Sequence, residues 1–192
     1  FPVEWQKNGN LANPITIADD PSPSYYPVNG SLFYLWLMLP LESVFLADLG
    51  QVPFFILAFL CVYSLSKKVN LNPVSAFYAA ALFTLIPNYF KQLQIAYVDV
   101  MVAALFLAGL NFILLLNTAF SWQGAFVSAL SLGLLLGTKT VALPYSVLLL
   151  APLLFLCFKY KQWGWALLIW VPVFLLGGYG YLRNFFETAN PF

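Results

Sequence analysis

The sequence predicts an all-α fold: a polytopic transmembrane helical bundle of about six spans. An N-terminal extracytoplasmic loop and a short interfacial helix precede the bundle. Three observations predict it. Hydrophobic residues make up 62% of the 192 residues and charged residues only 8%. Mean hydropathy is +0.84. The apolar residues fall in long runs separated by short polar breaks. A soluble domain carries roughly 25% charged residues, so this chain has too few to cover a water-facing surface, but few enough for one facing lipid.

Residues 1–30 are rich in Pro, Asn, Asp, Ser and Gly, the composition of an extramembrane loop. Residues 32–41 (LFYLWLMLPL) are apolar but too short to span; they suit a helix lying in the interface. Six longer apolar runs follow, at 49–66, 74–88, 95–116, 124–137, 141–158 and 163–182. The break at Gly137-Thr138-Lys139, with Pro144 beyond it, reads as a tight hairpin. The expected organisation is therefore a loop with a juxtamembrane helix (1–48), a bundle (49–183) and the start of another extracytoplasmic loop (184–192). Phe1 opens directly on polar residues, and we expect an internal piece of a longer chain.

Four runs separate Lys67-Lys68 from Lys159 and Lys161, which puts both groups on one side of the membrane. Basic short loops mark the cytoplasm. The acids (Glu4, Asp19, Asp20, Glu42, Asp48, Asp99, Glu187) then fall on or near the outer side, together with Lys7, Lys91, Lys139 and Arg183. Lys and Arg are thus evenly divided, and the grouping of sides is firmer than their labels.

Several chemistries are excluded. There is no histidine, which removes histidine-based triads and proton relays. Cys61 and Cys157 sit inside apolar runs, and two thiols without histidine make no zinc site; no metal site is expected. No basic tract suggests a nucleic-acid partner.

The charges near the outer face carry the functional reading. Asp99 is expected about four residues inside the 95–116 run, roughly 6 Å below its boundary. An acid there faces a polar cavity or a partner, or else reaches back to the interface. Lys139 sits at the hairpin turn; alone it is an ordinary interfacial lysine. Arg183-Asn184 closes the last run, where an Arg beside aromatics is also a common anchor. Cations can hold phosphate, and a nearby acid can act as a base. Gly177, Gly178 and Gly180 would let helices or a ligand approach closely. Asp19-Asp20 in a Pro-rich loop more often faces water than does chemistry. Asn29-Gly30-Ser31 is a glycosylation sequon, significant in a eukaryotic lumen. Tyr25, Tyr26 and Trp36 are candidates for stacking on a sugar.

Four stretches, in order, carry a resemblance: FPVEWQKNGNL, then SYYPVNGSLFYLW, then AYVDVMVAALFLAG with GLLLGTKTVALP, and finally YLRNFFETANPF. Together they resemble the multi-span glycosyltransferases of the GT-C superfamily, in the protein O-mannosyltransferase and lipid A aminoarabinose transferase branch. The chain departs from that branch at Thr140, where an aromatic is frequent, and at Ala189, where a Gly often precedes Asn-Pro. The resemblance implies a polyprenyl-phosphate-linked sugar as donor and transfer to a glycan, lipid or protein acceptor. It also implies a multi-pass protein of the plasma (inner) membrane whose active site faces the extracytoplasmic side. Asp99 would play a supporting catalytic role, with the main base expected upstream of Phe1. Lys139, Arg183 and Asn184 would bind substrate, and Tyr26 joins them as the aromatic candidate for the sugar. Two other classes remain open. A secondary transporter would use intramembrane Asp and Lys as coupling sites, although such sites lie at the midplane. A non-catalytic membrane subunit of a larger assembly would use these charges to pair with neighbours.

Overall fold

The computed structural model describes residues 1–11, 25–93 and 95–191. Asp19 and Asp20 lie outside the described residues. Among the described residues, helix is the only regular secondary structure. It begins with α1 (Pro2–Asn8), within the segment expected to be loop, and α2 (Asn29–Met38), overlapping the short helix expected at 32–41. Two 3-10 turns, at 39–41 and 44–49, lead into α3 (Val52–Lys68). Then come α4 (Pro73–Thr84), α5 (Pro87–Gln92), α6 (Asp99–Thr118), α7 (Trp122–Leu136) and α8 (Ala142–Lys159). The chain ends with α9 (Trp163–Leu168), α10 (Trp170–Gly177) and α11 (Tyr179–Thr188).

Local chemistry sets several of these boundaries. Asn72 accepts a hydrogen bond from the Ser75 amide at 2.9 Å, with Pro73 in the first turn of α4. Ser121 does the same for Gly124 at 3.2 Å, starting α7. Each satisfies an amide that has no partner within its helix. Pro87 opens α5, an element the sequence reading did not anticipate. Helix α8 runs through Pro152.

Each of the six apolar runs forms helix, but their lengths differ from the expectation. Among the described residues, three segments are long and apolar enough to cross a membrane: Val44–Lys68, Asp99–Thr118 and Ala142–Lys159. A fourth is obtained if Trp163–Gly177 is joined to Tyr179–Thr188, a pair bent by 67°. Helices α4 and α7, of 12 and 15 residues, are shorter. At 1.5 Å per residue they rise about 18 and 22 Å, less than a typical hydrocarbon core.

Helix α6 is the centre of the bundle. Val100, Ala104 and Leu116 on it are fully buried, and it packs against α3, α7 and α8. Its direction follows from side-chain contacts at both ends. Asp99, its first residue, pairs with Lys139, just ahead of α8. At the far end Asn117 accepts from Lys159 at 3.2 Å, while its carbonyl accepts from the Tyr160 hydroxyl at 2.9 Å. Helices α6 and α8 therefore run parallel, with α7 returning between them. Lys68 reaches Asn111 in the same half of α6, so both lysine groups share the Asn117 end.

Helices α7 and α10 meet at two glycines. A Cβ on Gly133 would stand 2.6 Å from the Pro172 carbonyl oxygen, and one on Gly177 would stand 2.7 Å from the Gly133 carbonyl oxygen. Small residues are what let helices in lipid approach this closely.

Two expected boundaries move. The last run does not continue to 182; it breaks at Gly178, and α11 leaves at an angle. The division expected between 183 and 184 falls inside α11, which is strongly amphipathic. A helix of that pattern prefers an apolar–polar boundary to the bilayer interior.

Candidate functional site

The site assembles at the end of the bundle where α6 begins. Residues 95–98 are not helical, and Val98 is the N-cap of α6. Asp99 is therefore the first residue of the helix and not one buried several residues within it, as the apolar run suggested. A carboxylate in the first turn is stabilised by the exposed amide dipoles of the helix N-terminus.

The hairpin between α7 and α8 brings Lys139 to it. Gly137 and Thr138 close α7 through hydrogen bonds to Gly133 and Leu135, both 3.1 Å. The Lys139 amine then donates to Asp99 Oδ1 at 2.6 Å. Their side chains are 38% and 36% exposed, so the pair is half-open to its surroundings. Such pairs contribute at most about 1 kcal/mol.

Below the pair lies a cleft of about 630 Å³. Asp99, Val102, Ala103, Phe106 and Leu107 line it from α6, at the spacing of one helical face. Val141 and Tyr145 line it from the α8 side, and Phe83 from α4. Phe106 and Tyr145 meet edge to face with centroids 5.8 Å apart. Apart from the charged pair and the Tyr145 hydroxyl, these walls are apolar. An amphiphile with an anionic head and a hydrocarbon tail matches that distribution, since the ammonium keeps donors beyond the one given to Asp99.

Of the expected site residues, Asp99 and Lys139 are thus brought together. Arg183, Asn184 and Tyr26 do not line this cleft. Asn184 is 2% exposed, and its amide donates to the Tyr25 carbonyl at 2.6 Å. It ties α11 to the segment ahead of α2. Arg183 donates to the Asn184 side-chain oxygen at 3.4 Å, and Gly180 packs closely on Pro27, where an added Cβ would stand 3.2 Å from its Cα. Tyr26 and Trp36 are exposed.

Two groups emerge that the sequence reading did not place here. Asn29, noted only as a sequon, binds two helix ends. Its backbone amide donates to the Gly137 carbonyl at 2.8 Å. Its side-chain amide donates to the Leu176 carbonyl at 2.7 Å and the Leu134 carbonyl at 3.3 Å. Next to it, a Cβ on Gly30 would overlap Val98, the residue before Asp99. The start of α2 is thereby wedged among the ends of α6, α7 and α10. The second group is a relay from α3. The buried Gln51 amide donates to the Tyr34 hydroxyl at 2.7 Å, which donates to the Tyr97 carbonyl at 2.8 Å. Burial pushes the Tyr34 hydroxyl up to about 12, against the smaller opposing effect of the Gln51 bond. It stays protonated and holds the non-helical turn ahead of Asp99. Neither group had a local signal beyond an Asn and a Tyr beside Pro-rich sequence.

The fold and this cleft define an all-helical chain with several helices suited to a membrane and a charged pair at the mouth of an apolar cleft. Compared with protein-family models, curated proteins and solved structures, the chain matches none.

Proposed function

We propose that this chain belongs to a membrane glycosyltransferase of the GT-C type, moving a sugar from a polyprenyl-phosphate donor to an acceptor at the outer face. The observation that carries the reading is the Asp99–Lys139 pair at 2.6 Å above the apolar cleft. The polyprenyl tail lies along Val102, Ala103 and Phe106, and the phosphate rests on Lys139. In this reading the helical runs α3, α4, α6, α7, α8 and α9–α10 each cross the plasma membrane, and the Asp99 end faces outward.

The transfer is a single displacement. The acceptor oxygen attacks the anomeric carbon as the bond from that carbon to the phosphate oxygen breaks. The acceptor's proton goes to a carboxylate base, a role given to no residue of this chain. Negative charge builds on the departing polyprenyl phosphate, and a pre-positioned ammonium stabilises it as it forms. Asp99 keeps Lys139 in place and can accept hydrogen bonds from sugar hydroxyls. Arg183, on α11 at the same end, supplies a second cation for the phosphate, and Asn184 fixes that helix in position. Tyr26 offers a ring and a hydroxyl to the sugar.

Asp99 and Lys139 sit at one end of the helices and not at their middle, which supports this reading over a transporter with a midplane site. The test is organic extraction of the purified protein followed by mass spectrometry for polyprenyl phosphate, with Lys139→Met, Arg183→Met run beside the wild type. Lipid present in the wild type and lost from the variant is the expected result. Absence from both would sink the proposal.

A further inference from the structure

A second cleft, of about 330 Å³, lies between α3 and α6. Leu57, Leu60, Phe112 and Leu115 give it apolar walls, and Lys68 and Ser64 lie on it as well. Leu60 is 55% and Leu115 46% exposed, so the cleft opens on the outside of the bundle.

Lys68 is the last residue of α3, and its amine reaches across to α6. It donates to both the backbone carbonyl and the side-chain oxygen of Asn111. Asn111 lies about two turns, roughly 10 Å, before the end of α6. Both polar atoms of its side chain are engaged: Oδ1 also accepts from the Ser64 hydroxyl, and Nδ2 donates to the Cys61 carbonyl, both at 3.0 Å. An ammonium has three donors, and the contacts with Asn111 use two of them. Among the described residues no carboxylate pairs with Lys68. The described acids lie on α1, at 42 and 48, at the start of α6 and on α11, all at the Asp99 end. Lys67, Lys159 and Lys161 gather with Lys68 at the Asn117 end. This is the reverse of the first cleft, where a carboxylate neutralises the lysine.

We propose that the α3–α6 cleft seats an anionic phospholipid of the surrounding leaflet. One acyl chain follows Leu57, Leu60, Phe112 and Leu115, and the phosphate takes the remaining donor of Lys68. A cation drawn toward a membrane interior is costly without a counter-charge, and an anionic headgroup supplies one. A zwitterionic headgroup brings its own ammonium beside Lys68 and offsets the gain. One lysine near an anionic lipid contributes about 1 kcal/mol, which sets the expected preference at about fivefold. This site does not depend on the polyprenyl-phosphate reading of the first cleft.

The experiment is native mass spectrometry of the delipidated full chain, titrated with dioleoylphosphatidylglycerol or dioleoylphosphatidylcholine. The wild type is expected to retain phosphatidylglycerol about fivefold better. Lys68→Gln should remove the preference, and Lys161→Gln, away from the cleft, should keep it. Leu60→Trp fills the cleft without touching the Lys68–Asn111 bonds, and should lower retention of both lipids in a protein that still melts cooperatively. Equal retention of the two lipids by the wild type would overturn the proposal. So would a preference that survives Lys68→Gln, one lost equally in Lys161→Gln, or undiminished retention in Leu60→Trp.

Discussion

The side-chain amide of Asn29 donates to the carbonyl of Leu176 at 2.7 Å, joining the first turn of α2 to the end of α10 across most of the chain. Carbonyls at a helix C-terminus have no partner within the helix, and Asn29 satisfies them on both α10 and α7. Asn29→Ala should therefore destabilise the protein by about 1–3 kcal/mol. Asn29→Asp should cost at least as much, because a carboxylate cannot donate. Thermal melts of the purified variants check this, and unchanged midpoints in both would show that the clamp contributes nothing.

The glycine contact between α7 and α10 gives a second expectation. Gly133→Ala places a methyl against backbone atoms of Pro172 and Val173, which cannot turn aside as a side chain could. Overpacking of this kind costs about 1–3 kcal/mol. Gly164→Ala, on α9 with nothing within 4 Å of the added carbon, should be neutral or gain up to about 1 kcal/mol from helix propensity. Equal melting of the two variants would contradict the close packing.

Activity and stability should separate at the charged pair. Lys139→Met should reduce donor-dependent transfer by about 100-fold or more, the usual loss when a stabiliser of developing charge is removed. Its folding should change by no more than about 1 kcal/mol, because the pair is half-exposed. Asp99→Asn should lose less activity, since it leaves the ammonium in place. Transfer assays on both variants, paired with their melting curves, decide it; full activity in Lys139→Met would remove that residue from the mechanism.

The tail-binding wall can be tested without touching a charge. Ala103 lines the first cleft and is half-buried, so Ala103→Trp should obstruct it. Polyprenyl phosphate recovered by extraction should fall several-fold, while Asp99 and Lys139 keep their contact. Recovery equal to the wild type would mean that the tail lies elsewhere.

The helical class and the location of each apolar run are legible in the sequence because these depend on local composition. A run such as 141–158 has few polar groups, and its backbone must satisfy itself by forming helix. The reading also located the hairpin at Gly137, from residues that end helices. It misjudged Asp99, since apolar residues 95–98 extend the hydrophobic run without extending the helix. It missed α5, whose six residues are too few for a periodic pattern to register. It carried the last run past Gly178, because hydropathy records composition and not direction.

By itself, then, the sequence determined a helical chain suited to lipid, and the approximate location of its apolar helices. Tertiary structure alone decided which charges meet. Lys139 finds Asp99 because α6 and α8 run parallel with α7 returning between them. Asn29 leaves its sequon role for a structural one because α7 and α10 end beside it. Lys68 bonds to Asn111 because α3 and α6 pack side by side. Composition and periodicity act between neighbours a few residues apart, whereas each of these pairings depends on the packing of helices distant in sequence. That packing is set by contacts such as Gly133 against Gly177, whose closeness no local pattern records.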